Sequence, residues 1–368
     1  MTGTKAQAGP NGTVTMLAAR IRAFGQPLEE ERVPRPEPGL GEALVRIQAC
    51  AIGAGEIQVF KRVRAAYDTA AAPFWLPHTI GFRGAGLVEA TAPDVTGWRP
   101  GDRVVINGFM GCGACRECRT GQENFCPQHR LLGLDPGFPG AMAEFVRVPA
   151  SRLHRVSAAV PMNRAPMLGD VALMLRAWGR AAPPPGSSIV IFGCGLVGSA
   201  AVHVAGLYSP RLLIGVDIVP NRLELAKSLG AHAVVDGSHA DAVAEIRRLT
   251  EGGADVTMDA VGDESTIVPA IQATRPQGIT LLLGVYKPVT LTLDNYYGDV
   301  VYKEAALLAC FGKTNRDFAR AVGLAEAGLV DLSRFPVREF RLGEANQALE
   351  FAMSGAFPGR VVLTPDPS

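Results

Sequence analysis

The chain has 368 residues, a length that at roughly 150 residues per domain points to two domains or slightly more. Hydrophobic residues make up 48% and charged residues 19%, a balance that excludes a disordered chain, a collagen and a coiled coil. Thirty-six basic and 35 acidic side chains leave a net charge of +1, so no global field attracts nucleic acid, an anionic membrane or a polyacidic substrate. A neutral small molecule is the expected partner.

Taken in chain order, Met1 to Thr15 carries one lysine and no apolar run of signal-peptide length. From Val14 to about Pro149 short strand-like segments alternate with turn signals, among them Ala43 to Ile47, Gly86 to Ala90 and Arg103 to Ile106, and this part reads as mostly β. The Pro-Pro-Pro-Gly run at 183–186 then marks a change to a repeated strand, turn and helix pattern. Ile189 to Phe192 and Arg211 to Val216 read as strands, with a helix from Ser199 to Leu207 between them. Pro220 and Gly230 bracket a second helix, Asn221 to Leu229. Strands are expected at Ala233 to Val235, Asp255 to Met258, Ile279 to Leu283 and Ala306 to Cys310. This alternation implies an α/β fold with a doubly wound parallel sheet. A helix from Asp317 to Ala327, a strand from Val337 to Phe340, a helix from Glu344 to Met353 and a strand from Arg360 to Leu363 close the chain. The uncharged window Ser188 to Tyr208 is divided by four glycines and two serines, so it reads as buried strand, loop and helix and not as a membrane span.

Two motifs carry chemistry. Gly193-Cys194-Gly195-Leu196-Val197-Gly198 is a G-x-G-x-x-G run between a strand and a helix, and Asp217 ends the next strand 19 positions after Gly198. Gly193 permits the tight turn, Gly195 lets a pyrophosphate approach the backbone, Gly198 allows close helix packing, and the helix N-terminus offers free N–H groups to phosphates. The Asp217 carboxylate suits a ribose diol and disfavours a 2′-phosphate, so NAD(H) is the expected cofactor; Arg222 softens that preference. The second motif is Cys112, Cys115, Cys118 and Cys126. Four thiolates at this spacing close around one tetrahedral ion, best zinc, and leave no open coordination position, so one structural zinc per chain is expected. Seven cysteines with four crowded together point to metal binding in a reducing, cytoplasmic compartment and not to a disulfide framework.

With the Leu40-Gly41-Glu42-Ala43-Leu44-Val45-Arg46 opening, these motifs resemble the zinc-containing medium-chain alcohol dehydrogenase family over nearly the whole chain, from about Val14 to Pro365. The resemblance implies a GroES-like, mostly β catalytic domain from residues 1–171 and 311–368, carrying the structural zinc loop at about 112–126, and a Rossmann NAD-binding domain from 172–310. It implies a homodimer or homotetramer. It also implies that the backbone at Gly284, Val285, Cys310 and Phe311 holds the nicotinamide and that Arg360 reaches the pyrophosphate.

The sequence departs from this family at the catalytic zinc. Gly53 stands where the family has a ligand Cys, and Phe82, in Gly81-Phe82-Arg83, where it has a ligand His; neither residue binds zinc. Gly55 and Gln58 replace the usual proton-relay positions. Asp170 matches the third ligand position, and a carboxylate facing a cleft needs a cationic partner. The expected replacement is a charged group of Arg83, Asp170 and Glu56 that polarises a carbonyl or orients a hydroxyl; a purely structural ion pair is the competing reading. His78, Tyr296 and Tyr297 beside Asp294 are further proton-donor candidates, read as loop, packing or interface residues first. Cys194 and Cys310 read as small buried hydrophobes, and Phe60, Phe74, Trp75 and Tyr297 as pocket or core aromatics. The resulting expectation is NAD(H)-dependent hydride transfer to or from a hydroxyl or carbonyl of a small molecule. Reduction of a conjugated C=C or iminium bond and a redox-neutral epimerase, cyclase or sensor are the alternatives.

Overall fold

A computed structural model describes residues 14–61, 76–239, 242–284 and 288–365. Phe74, Trp75 and Val285 lie outside the described residues.

The β-rich part is organised by one long strand, Glu42–Ile52, buried along most of its length. It pairs antiparallel with Arg83–Thr91, Phe145–Pro149 and Arg360–Thr364. A strand with three partners sits at the centre of its sheet, which explains why it is almost continuously small and apolar. Arg103–Ile106 and Leu153–Arg155 extend the sheet on one side, and Val337–Arg341 lies outside Arg360–Thr364 on the other. The C-terminal strands are thus hydrogen-bonded to the N-terminal part of the chain.

The second sheet has six parallel strands in the order Ala233–Asp236, Leu212–Asp217, Ser188–Phe192, Ala254–Asp259, Thr274–Leu282, Ala306–Ala309. The strand order reverses direction between Ser188–Phe192 and Ala254–Asp259, the place where such sheets open a ligand crevice at their carboxyl ends. The fold therefore has the two-part α/β architecture that the sequence implied.

Several boundaries differ from the sequence reading. The helix expected from Ser199 to Leu207 starts three residues earlier, at Leu196, because Gly198 lies inside its first turn and not in the preceding loop. Among the described helices of eight residues or more, three escaped notice, Leu168–Ala181, Ala242–Leu249 and Glu264–Ala273, as did the shorter Ala54–Phe60 and Arg116–Arg119. Leu168–Ala181 carries Gly169 and Gly179, poor helix formers that weaken its local signal, although Arg176 and Arg180 mark its open side. Glu264–Ala273 contains Pro269, a residue that usually argues against a helix interior. The helix Leu168–Ala181 packs against both Leu196–Ala205 and Asn315–Glu326 and is pinned by the fully buried Trp178, whose indole N–H donates to the Ala201 carbonyl at 3.1 Å. Its first turn, with Asp170, is thereby fixed beside the start of the fingerprint helix. Among the described residues no helix is long and apolar enough to cross a membrane.

Candidate active site and metal centre

The four cysteines of the 112–126 loop come together as their spacing implied. Their sulfur atoms all lie within 4.8 Å of one another. A tetrahedral zinc with bonds of about 2.3 Å needs sulfurs roughly 3.8 Å apart, so a small inward adjustment suffices and the donor set fits the ion. Backbone N–H groups already point at the sulfurs: Cys112 donates to Cys126, Cys115 to Cys112 and Cys118 to Cys115, at 3.3, 3.3 and 3.4 Å. The N–H groups of Ala114 and Cys115 lower the Cys112 thiol to about 6, whereas burial and the neighbouring sulfurs push the Cys115 and Cys118 thiols up. Among the described residues this is the one group of three or more His, Cys, Asp or Glu ligand atoms placed to hold an ion. The loop also braces the segment that leaves the last strand of the parallel sheet. Asn124 donates to the Phe311 carbonyl at 2.8 Å, and Glu123 accepts from the Asn315 backbone at 2.6 Å.

At the crevice each fingerprint glycine has a visible reason. Gly193 has φ +90°, the left-handed region glycine tolerates. A side chain on Gly198 would overlap the Gly193 carbonyl oxygen, whereas a Cβ on Gly195 would meet nothing within 4 Å, leaving open space over the helix start. The first N–H groups of a helix have no intrahelical acceptor, so those of Leu196, Val197 and Gly198 are set to receive phosphate oxygens. Asp217 is buried at the end of its strand; one oxygen accepts from the Cys194 N–H at 2.7 Å and the other from the Val219 N–H at 2.9 Å. A carboxylate has about four lone-pair sites, so both oxygens keep capacity for a ribose diol. Arg222 stands 3.8 Å from Asp217. Gly284 is held to the neighbouring strand Ala254–Asp259, its N–H donating to the Asp259 carbonyl at 3.2 Å, and Cβ at that position would strike Gly262. The residues present fit a dinucleotide.

The third constellation is a buried cluster of charges gathered from separate segments. The sheet register builds it: Ala51 pairs with Arg83 on one side of the central strand, and Ile52 with Val361, next to Arg360, on the other. Arg83 lies 3.5 Å from Glu56 and, through Nε, 3.3 Å from Asp170. Arg360 donates to the other Asp170 oxygen at 2.5 Å and to the Leu196 carbonyl at 2.9 Å, so its guanidinium joins Asp170 to the fingerprint helix. Glu56 is fixed by the N–H groups of Gly53 and Phe82, at 2.9 and 2.7 Å. A side chain on Gly53 would collide with the Arg83 guanidinium, and one on Gly55 would press on Leu134 at 2.9 Å. The guanidinium and Leu134 therefore fill the spaces beside two positions where the family pattern carries larger residues. Burial alone would raise the Asp170 carboxyl, but Arg360, Arg83 and Lys313 outweigh it and hold it below its ordinary value. Of the expected residues, Arg83, Glu56, Asp170 and Arg360 meet here.

Lys313, which sequence reading passed over, belongs to the same cluster. It is 3% exposed, and its ammonium faces the rings of Phe82, Phe318 and Phe109 at 5.0, 5.5 and 5.9 Å. Burial, with the nearby Arg83 charge, pushes it down to about 7, against the opposing pull of Asp170. One signal in the sequence pointed to it: Gly312-Lys313 comes after the last strand of the parallel sheet, at the carboxyl end where ligands bind. The other candidates fall elsewhere. His78 is buried in a short strand paired with Thr15–Ile21. His203 and His232 hydrogen-bond backbone groups at Leu229, Asp331 and Leu213. Tyr296 and Tyr297 are exposed. Burial raises the Cys194 and Cys310 thiols to about 12 and about 11, in keeping with small hydrophobes.

Comparison with known proteins agrees with this geometry. Residues 39–158 match the alcohol dehydrogenase GroES-like domain and residues 197–327 the zinc-binding dehydrogenase family. The chain is 31% identical, over 95% of its length and 100% of the relative, to an NAD-dependent alcohol dehydrogenase of Sulfurisphaera tokodaii. It is 30% identical to an erythritol/L-threitol dehydrogenase of Mycolicibacterium smegmatis, covering 92% of this chain and 94% of that one. The alcohol dehydrogenase structure from Aeropyrum pernix superposes with a TM-score of 0.84 at 28% identity, over 95% of this chain and all of that one. The chain belongs to the zinc-containing medium-chain dehydrogenase family, of alcohol dehydrogenase type, and is an oxidoreductase of that family.

Proposed function

We propose that this chain is an NAD(H)-dependent oxidoreductase that keeps the four-thiolate zinc as a structural ion, has given up the catalytic zinc, and transfers hydride to or from a hydroxyl or carbonyl carbon of a small molecule. One observation carries the reading: the Arg83 guanidinium, held by Glu56 and Asp170, fills the space beside Gly53. A fixed positive charge of this kind stabilises negative charge developing on a substrate oxygen, the task a Lewis acid would otherwise perform. The N-terminus of the fingerprint helix with Gly193, Gly195, Leu196, Val197 and Gly198 would hold the pyrophosphate, Asp217 with Arg222 nearby the ribose, and the backbone at Gly284, Val285 and Phe311 the nicotinamide. The dinucleotide, when bound, supplies a hydride donor or acceptor at its nicotinamide ring. Cys112, Cys115, Cys118 and Cys126 would hold a zinc that fixes the loop under Phe311.

We assign residues 1–171 and 311–368 to the catalytic domain and 172–310 to the cofactor domain, a division that falls within the helix Leu168–Ala181. A homodimer or homotetramer in the cytoplasm is the expected form. The edge strand Ala306–Ala309 supports assembly, since it is largely exposed and comes shortly after the exposed Tyr296, Tyr297 and Tyr302 in the chain. An exposed sheet edge is suited to pairing with a second copy.

The test monitors NADH with erythritol, sorbitol, L-threonine and simple secondary alcohols, and with the matching carbonyls in reverse. Turnover with at least one pair is expected. Asp217→Ala should weaken NAD binding about tenfold, the loss of roughly 1.5 kcal/mol of charged hydrogen bonding, and narrow the preference over NADP. An unchanged cofactor preference would contradict the assignment of Asp217, and bound NADH that no carbonyl oxidises would point to redox-neutral use.

A further inference from the structure

Oxidising an alcohol releases a proton as well as a hydride, and neither Arg83 nor Arg360 can exchange one, because a guanidinium stays protonated at any working pH. The positions that carry the family's proton relay are Gly55 and Gln58 here, and Leu134 closes against Gly55. Asp170 is held as the anion between two arginines, and Glu56 is committed to two backbone N–H groups and Arg83. Lys313 remains. Its ammonium contacts aromatic faces, and among the described residues no oxygen lies within hydrogen-bond reach of it. It stands two residues after Phe311 and so lies within about 7 Å of chain from the backbone assigned to the nicotinamide.

Charge balance gives the same answer. The groups facing Lys313 are Arg83 from one strand, Arg360 from another, Asp170 from the helix Leu168–Ala181 and Glu56 from the helix Ala54–Phe60. Two guanidiniums and two carboxylates cancel, so the cluster is neutral when Lys313 is an amine and carries one positive charge when it is an ammonium. A group in such surroundings exchanges a proton readily near neutrality, and the charge it gains sits beside the oxygen that needs it.

We propose that Lys313 is the proton donor and acceptor of the reaction proposed above, on which this role rests. In oxidation the substrate O–H bond breaks toward the neutral Lys313 amine, which becomes the ammonium. The carbinol C–H pair would leave as hydride, for which the dinucleotide, when bound, is the acceptor, and the C=O bond would form. In reduction the Lys313 ammonium would give its proton to the substrate oxygen, the hydride being supplied by the bound dinucleotide. Oxidation then needs the amine and rises with pH through the neutral range; reduction needs the ammonium and falls through it. The ionisation of Lys313 at about 7 sets where both limbs bend.

The experiment labels the full-length chain with ¹³C-lysine, which gives six side chains to resolve, and tracks the Cε resonances from about pH 5 to pH 10 without cofactor or substrate. One resonance with a midpoint near neutrality, absent from Lys313→Met, is the expected result. Persistence of that resonance in the variant, or titration of all six only above about pH 9, overturns the proposal. In parallel, Lys313→Arg keeps the charge but cannot titrate; it and Lys313→Met should lose roughly 10²- to 10⁴-fold in kcat together with the neutral inflection, while NADH affinity stays within about threefold. Wild-type rates and inflection in both variants refute the role of Lys313 and leave the dehydrogenase reading standing. A wild-type chain that titrates at Lys313 yet turns over none of the alcohols or carbonyls refutes the reading itself, and the role with it.

Discussion

The four-thiol loop and the charged cluster lie in the same part of the molecule and differ in how they are made. Cys112, Cys115, Cys118 and Cys126 span fifteen residues of one loop, and helix and turn geometry alone brings their sulfurs within 4.8 Å. Glu56, Arg83, Asp170, Lys313 and Arg360 come from two strands, two helices and one loop, and only the completed fold brings them together. A local site of this kind can persist while the chemistry next to it changes. The cluster cannot be altered singly, since each charge is the counterion of another.

That contrast can be broken from either side. The largest effect is expected for Asp170→Ala, which takes one carboxylate partner from each of two guanidiniums, one of them only 4% exposed, and leaves Arg83 with Glu56 and Arg360 with the Leu196 carbonyl. Losing the shared partner of a buried charge costs roughly 3–5 kcal/mol, read as a shifted denaturation midpoint, with zinc content unchanged. A loss under about 1 kcal/mol would mean that solvent already screens the cluster. Cys115→Ser should act the other way round. Zinc should fall below one per chain with a stability loss of a few kcal/mol, while kcat of the folded enzyme stays within about threefold. Because Glu123 and Asn124 brace Asn315 and Phe311, the same variant should raise KM for NAD more than it lowers kcat. A kcat that collapsed with the zinc would show the loop to be part of the chemistry.

The same distinction governed how much was legible in the sequence. The fingerprint and the cysteine loop are written in consecutive residues, and their glycines and thiols stand where the spacing placed them. The parallel sheet was legible because each strand is a short apolar run ending in a turn. Arg83, Glu56 and Asp170 were found only by setting the chain against a family pattern, Asp170 as a match to it and Arg83 as a departure, and Arg360 was matched to the pyrophosphate while its partnership with Asp170 stayed hidden, because nothing in local sequence links residues 190 positions apart. Lys313 was missed for the same reason: its significance lies in the three rings and four charges around it, drawn from distant segments. The helix Leu168–Ala181, which aims Asp170, was obscured by Gly169 and Gly179 within it.

The central claim, a retained structural zinc beside a charged cluster that has replaced the catalytic one, is tested most directly by counting zinc in the purified full-length chain by elemental analysis. One zinc per chain, lost on Cys115→Ser and kept on Asp170→Ala, is the expected result. Two per chain, with the second lost on Asp170→Ala, would mean that Asp170 still serves a metal, and the roles given to Arg83 and Lys313 would be wrong.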